Sequence, residues 1–180
     1  MLESIQVPSD VTFEKAIALS GSLLKKMEAG ELSPSEIETI VSDLAKTQNG
    51  ARGFFVTYLT SDQTFADNPS PEVVQALRSH CDTVAELLAK NVAMSAAMAL
   101  THRRNGNEEM AESSERVRDR TSHLIKLIDR PGVYSICREI LESAMTGEGN
   151  YKAFLERWGY DTEQRLLMSQ ALQKVISDRG

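Results

Sequence analysis

Hydrophobic positions recur along this chain with the three- and four-residue spacing of α-helices, and the longest apolar stretch covers residues 82–104. Within it, Val84, Leu88 and Val92 follow at four-residue steps, and alanines fill most positions between the larger side chains. A helix that is apolar on nearly every side must be surrounded by other helices. We therefore predict a buried helix at 82–104 around which the rest of the chain is organised.

Start and stop signals divide the remaining sequence into further amphipathic helices. Ser33-Pro34-Ser35-Glu36 combines a cap hydroxyl, a proline and a glutamate at the spacing that begins a helix. The signals predict helices over 12–29, from Ser33 to Asn49-Gly50, over 71–80, over 107–130, from Pro131 to Gly147, at 151–158 with Asn150 as its cap, and from Asp161 onward. The expected core stripes include Met110 in the 107–130 helix and Leu166 in the last helix.

Residues 51–61 are ambiguous because Phe54, Phe55 and Tyr58 favour strands, yet no other segment resembles a partner strand. An isolated strand cannot satisfy its backbone hydrogen bonds, so we expect a short buried helix here. The alternative is a strand that pairs with its copy in a second chain. The following segment is rich in Asp, Asn and Pro and is expected to form a loop anchored by Phe65.

Composition sets the class of protein. The 180 residues fit one domain, 1–180, which we predict to be an all-α bundle of about eight helices. A net charge of −6 disfavours nucleic-acid binding, and two cysteines are too few for a disulfide framework. Lys90 and Asn91 interrupt the longest apolar stretch, so no transmembrane segment is expected. We predict a cytoplasmic protein with no cofactor.

Carboxylates are the most suggestive chemical groups in the sequence. Four of them recur at steps of four, three and four on one predicted helix: Glu108, Glu112, Glu115 and Asp119. Each precedes a position of the expected core stripe by two residues, roughly 200° around a helix, so they should face solvent. A solvated charged face is therefore the favoured interpretation of this series.

The alternative interpretation is a metal site. Glu109 and Glu112 have the ExxE spacing, as do Glu139 and Glu142 on the next predicted helix. Such pairs hold magnesium in all-helical nucleotide pyrophosphohydrolases when they converge between helices. This alternative function requires the four carboxylates to face one another.

The remaining candidates suit contact with another protein. Arg52 precedes the apolar run beside the predicted loop, and the sole tryptophan, Trp158, lies in an aromatic cluster. A small-ligand carrier, with an apolar pocket near Phe55, Tyr58 and Met94, is a third alternative. We expect a non-catalytic interaction module, a homodimer or a binder of another protein, with these interaction residues: Arg52, Phe54, Phe55, Tyr58, Phe65 and Trp158.

Four segments carry a resemblance to known proteins: NGARGFFVTYLT (49–60), ADNPSPEVVQAL (66–77), NVAMSAAMALTHRRN (91–105) and YKAFLERWGYD (151–161). In these segments the chain resembles a group of conserved all-helical proteins of unassigned function from cyanobacteria. The resemblance implies a photosynthetic bacterial cytosol and brings no known activity.

Overall fold

A computed structural model describes residues 4–179 of the chain. These residues form helices and connecting loops with no strand, which confirms the predicted all-α class. The nine helices within this range are α1 (Phe13–Glu28), α2 (Pro34–Ala45), α3 (Gln48–Thr60), α4 (Pro71–Ser79), α5 (Cys81–Arg104), α6 (Glu108–Ile128), α7 (Pro131–Thr146), α8 (Lys152–Arg157) and α9 (Thr162–Ser177).

The chain divides into two compact units, with the boundary between Val84 and Ala85 inside α5. The first unit holds α1 to α4, and the second holds most of α5 with α6 to α9. In the first unit α3 packs against α1 and α2, and α2 packs against α4. In the second unit α9 packs against α7 and α6. The assignment of one domain to residues 1–180 stays a prediction.

Helix α3 resolves the ambiguous segment as a helix. Its first turn contains Asn49-Gly50, which was expected to end α2; instead α2 ends at Ala45, and the Thr47 hydroxyl accepts a hydrogen bond from the Gly50 amide. A Cβ at Gly50 would collide with the Leu44 carbonyl, so this glycine permits a close backbone approach. A Cβ at Gly53 would lie 2.9 Å from the Ile17 amide nitrogen of α1.

Helix α5 has the predicted extent within one residue, and Val84, Leu88, Val92 and Ala97 are buried along it. Its apolar character is not matched by burial everywhere, because Met98 is 38% exposed. By length and composition alone, α5 is the one helix among the described residues that could cross a membrane; a buried core helix meets the same criterion. The expectation of no transmembrane segment stays a prediction.

The second unit corrects two local predictions. Met110, placed in the core stripe of α6, is 45% exposed, and the interior positions nearby are Ala111 and the C-terminal half of the helix. Asn150 does not cap α8; its amide donates instead to Glu139 Oε1 at 3.3 Å.

The cap of α9 is as expected. Asp161 accepts from the Gln164 amide, and the Gln164 side chain accepts from the Asp161 amide, completing a capping box. The side-chain Nε2 of Gln164 also donates to Thr101 Oγ1 at 2.9 Å, which connects the start of α9 to α5.

Candidate functional site

Three of the aromatic residues predicted to form an interaction surface lie in the interior instead. Phe54, Phe55 and Tyr58 are exposed by only 1 to 2%. Phe54 stacks on Tyr58 with ring centroids 4.9 Å apart, and the Tyr58 hydroxyl donates to the Phe65 carbonyl at 2.8 Å. The hydrogen bond ties the loop after α3 to this helix through the Phe65 backbone, and their burial makes the three rings part of the core. An anchoring role for the Phe65 side chain stays a prediction.

Arg52 and Trp158 are at the surface. The Arg52 guanidinium lies 4.7 Å from the centroid of the Phe13 ring, so it covers an aromatic face of α1. Trp158 follows α8 and is 54% exposed. Large exposed aromatics are enriched at protein-binding sites, which keeps Trp158 a candidate contact.

Two aromatic residues before Trp158, Tyr151 and Phe154, contact a lysine. Lys90 Nζ lies over the rings of Tyr151 and Phe154, at 5.8 and 5.0 Å from their centroids, and 2.7 Å from Glu86 Oε1. The hydrogen bond from Lys90 lowers the pKa of Glu86. Burial, together with the neighbouring Glu86 carboxylate, raises the pKa of Tyr151 to about 12. Both groups therefore stay in one ionisation state near neutral pH.

The carboxylates of the alternative metal site are not gathered into one group. Glu109, Glu112 and Glu142 are exposed, and Glu139 is half-buried and bonded to Asn150. Over residues 4–179 no three His, Cys, Asp or Glu side chains are placed to hold a metal ion together. The convergence required by the pyrophosphohydrolase interpretation is therefore missing from the described residues.

The second unit carries a groove of about 840 Å³ along α7 and α9. Leu141 and Met145 line it from α7, and Leu166 lines it from α9. Met145 is 71% exposed and Leu166 is 57% exposed. Leu166 was expected to face the core, so its exposure corrects the predicted stripe of α9. We call this surface the α7–α9 groove.

The charged residues that line the α7–α9 groove are both cationic: Arg165 and Lys174. The Arg165 Nε donates to the Tyr160 carbonyl at 3.2 Å. Among residues 4–179 neither cation has a carboxylate partner. An apolar groove with unpaired cations, in a chain of net charge −6, is complementary to an acidic amphipathic segment.

One exposed segment of this chain has that chemistry. Met110 stands on the first turns of α6 between Glu109 and Glu112, and all three side chains are exposed. Within the described range, neither glutamate takes part in an ion pair. We call these three residues the α6 acidic patch.

A second concavity, of about 490 Å³, lies between α5, α6 and α9. Its lining includes small apolar side chains, among them Ala96, Ala99 and Ala171, beneath a charged rim. Lys174 and Gln170 line this cleft as well as the α7–α9 groove. We call it the charged cleft. In the sequence, only the many alanines of α5 pointed to this cleft. Their periodicity had been interpreted as a sign of close helix packing instead.

The described residues therefore form two compact all-helical units, the second of which carries two concave surfaces. The family model for the uncharacterised conserved protein UCP020893 matches residues 12–175, and the chain belongs to this family. The match runs through the boundary between the two units, so both are part of what the family shares. Neither a curated protein nor a solved structure gives a significant match.

Proposed function

We propose that this protein is an interaction module without catalytic activity and that it forms a homodimer through the α7–α9 groove. The observation that carries the proposal is the groove itself, which exposes Met145 and Leu166 beside two cations that have no carboxylate partner among the described residues. Exposed apolar side chains gathered in a groove are typical of surfaces that receive a helix.

The occupant with matching chemistry is a second copy of the chain. The α6 acidic patch offers Met110 to the apolar groove and two glutamates to Arg165 and Lys174. In a two-fold dimer each copy contributes both surfaces, so the contact occurs twice and closes. The groove of one copy meeting the same groove of another would instead bring like charges together.

An anionic membrane surface is a less suitable occupant. Two lysine or arginine side chains attract acidic lipids only weakly, by about 1 kcal/mol each. The net charge of −6 opposes that attraction.

Charge reversal tests the proposal. Arg165→Glu with Lys174→Glu makes the groove acidic, and Glu109→Lys with Glu112→Lys makes the patch basic. Each double variant alone faces like charge at both contacts, so dimer affinity measured by light scattering should fall roughly a hundredfold. A mixture of the two variants restores opposite charges at both contacts, so we expect it to dimerise again.

The matched control reverses two lysines on α1, Lys15→Glu with Lys25→Glu, which lie outside both surfaces. This control should dimerise as the wild type does, and circular dichroism should show folded protein for every variant. A monomeric wild type, or variants that associate equally well alone and mixed, would exclude the proposed dimer.

A further inference from the structure

The charged cleft has the dimensions and lining of a small-molecule site. Its volume of about 490 Å³ lies within the range of roughly 300 to 1,000 Å³ that is usual for ligand pockets. Ala96, Ala99 and Ala171 supply an apolar lining, with Leu167 and Val175 beside them. Small side chains leave the space unfilled, so a ligand with an apolar body can occupy it.

Most carboxylates on the rim are already neutralised. Arg103 bonds to Glu115 as well as to Glu108, outside the cleft, and Arg118 Nε donates to Asp119 Oδ1 at 3.0 Å. The hydrogen bond from Arg103 lowers the pKa of Glu115, which keeps this carboxylate ionised and paired. These pairs leave little charge to bind a ligand.

The remaining charged groups of the lining favour an anion. Lys126 on α6 and Lys174 on α9 have no carboxylate partner in the part of the chain that the structure describes. Asp178 also lines the cleft and offsets one of the two lysines, and His123 is beside Lys126 on the same face. Lys126, Lys174 and Asp178 thus sum to one positive charge.

We propose that the charged cleft binds a small amphipathic carboxylate. The apolar body of the ligand lies against the alanines, and its carboxylate accepts hydrogen bonds from Lys126 and Lys174. Neither a neutral amphiphile nor an amine has this combination of groups. The site is separate from the proposed dimer contact, apart from Lys174 and Gln170.

Octanoate is a suitable probe, and isothermal titration calorimetry of the full chain measures its affinity. Lys126→Gln removes one ammonium from the cleft alone and should weaken octanoate binding at least about fivefold. Ala171→Leu fills the space and should abolish binding. Lys15→Gln, an equal loss of charge on α1, should leave the affinity unchanged. 1-Octanol, which lacks the carboxylate, should bind at least about fivefold more weakly than octanoate.

The outcomes separate this proposal from the dimer. Lys126→Gln should leave self-association intact, whereas Arg165→Glu should dissociate the dimer without weakening octanoate binding. No octanoate binding by the wild type, equal affinity in Lys126→Gln, or 1-octanol binding as tight as octanoate would overturn the assignment. Because Lys126→Gln is a surface change that need not disturb folding, the test does not depend on Ala171→Leu being stable.

Discussion

Gly53 lies where α3 meets α1, and replacing it with alanine tests how closely the two helices pack. An added Cβ would lie 2.9 Å from the Ile17 amide nitrogen and 3.0 Å from the Ala16 carbonyl carbon, with the Ala16 methyl group closer still. Ordinary contacts between carbon atoms are about 3.5 to 4.0 Å, so α1 or α3 must shift by roughly half an ångström or more. The obstructing atoms include backbone, which no side-chain rotation can move.

Two opposing effects set the magnitude of Gly53→Ala. Alanine is favoured over glycine inside a helix by about 1 kcal/mol, whereas overpacking a closed interface costs about 1 to 3 kcal/mol and occasionally more. The overpacking dominates because the clash is with backbone. We expect a net loss of up to about 2 kcal/mol in the free energy of unfolding.

Gly21→Ala supplies the matched control, since Gly21 is also inside a helix and nothing lies within 4 Å of its would-be Cβ. This change should stabilise the protein by about 0.5 to 1 kcal/mol. Urea unfolding followed by far-ultraviolet circular dichroism measures both variants. If Gly53→Ala were as stable as Gly21→Ala, the close approach of α1 and α3 would not constrain this position.

Three further predictions concern the second unit. Gln164→Ala removes half of the capping box and the hydrogen bond to α5, so the free energy of unfolding should fall by about 1 to 3 kcal/mol in urea titrations; an unchanged value would contradict both roles. Burial raises the pKa of the Cys137 thiol to about 12, so in a Cys81→Ala variant iodoacetamide should label Cys137 only after unfolding, as mass spectrometry would show. The hydrogen bond from Arg104 lowers the pKa of Asp161 below its ordinary 3.8. The ionised carboxylate therefore stabilises the fold above about pH 4, and this stabilisation is lost as the pH falls through the pKa of the folded state. Asp161→Asn should therefore differ most from the wild type near neutral pH and converge with it in acid, and a constant difference would refute the linkage.

Local signals predicted the features that depend on a few neighbouring residues. The Ser33 cap and the capping box of Asp161 and Gln164 are both present, because a cap needs only its own first turn. The same local rules wrongly predicted that Gly50 ends α2, whereas it lies in the first turn of α3. Its actual role depends on the Leu44 carbonyl, which only the folded chain brings near.

Hydrophobic spacing predicted which face of a helix is apolar, but not how much of that face neighbouring helices bury. Met110 and Leu166 follow the expected periodicity, yet both are exposed because no described element covers those ends of their stripes. The aromatic residues at 54–58 were predicted to contact a partner but are buried. Aromatic side chains suit an interface and a core equally well, so the sequence could not distinguish the two. The α7–α9 groove and the charged cleft depend on how distant helices are placed, so the alanines of α5 signalled small side chains without locating a cleft.

Helix α9 separates the two proposed binding surfaces, and Lys174 and Gln170 line both of them. A single ammonium group cannot satisfy a ligand carboxylate on one side and a partner glutamate on the other at full strength. A carboxylate bound in the cleft would therefore lower the affinity of the dimer. By thermodynamic reciprocity, dimerisation would lower the affinity for the carboxylate by the same factor. If Lys174 serves both proposed surfaces, the carboxylate ligand and the dimer would compete for a single lysine, and each would weaken the other.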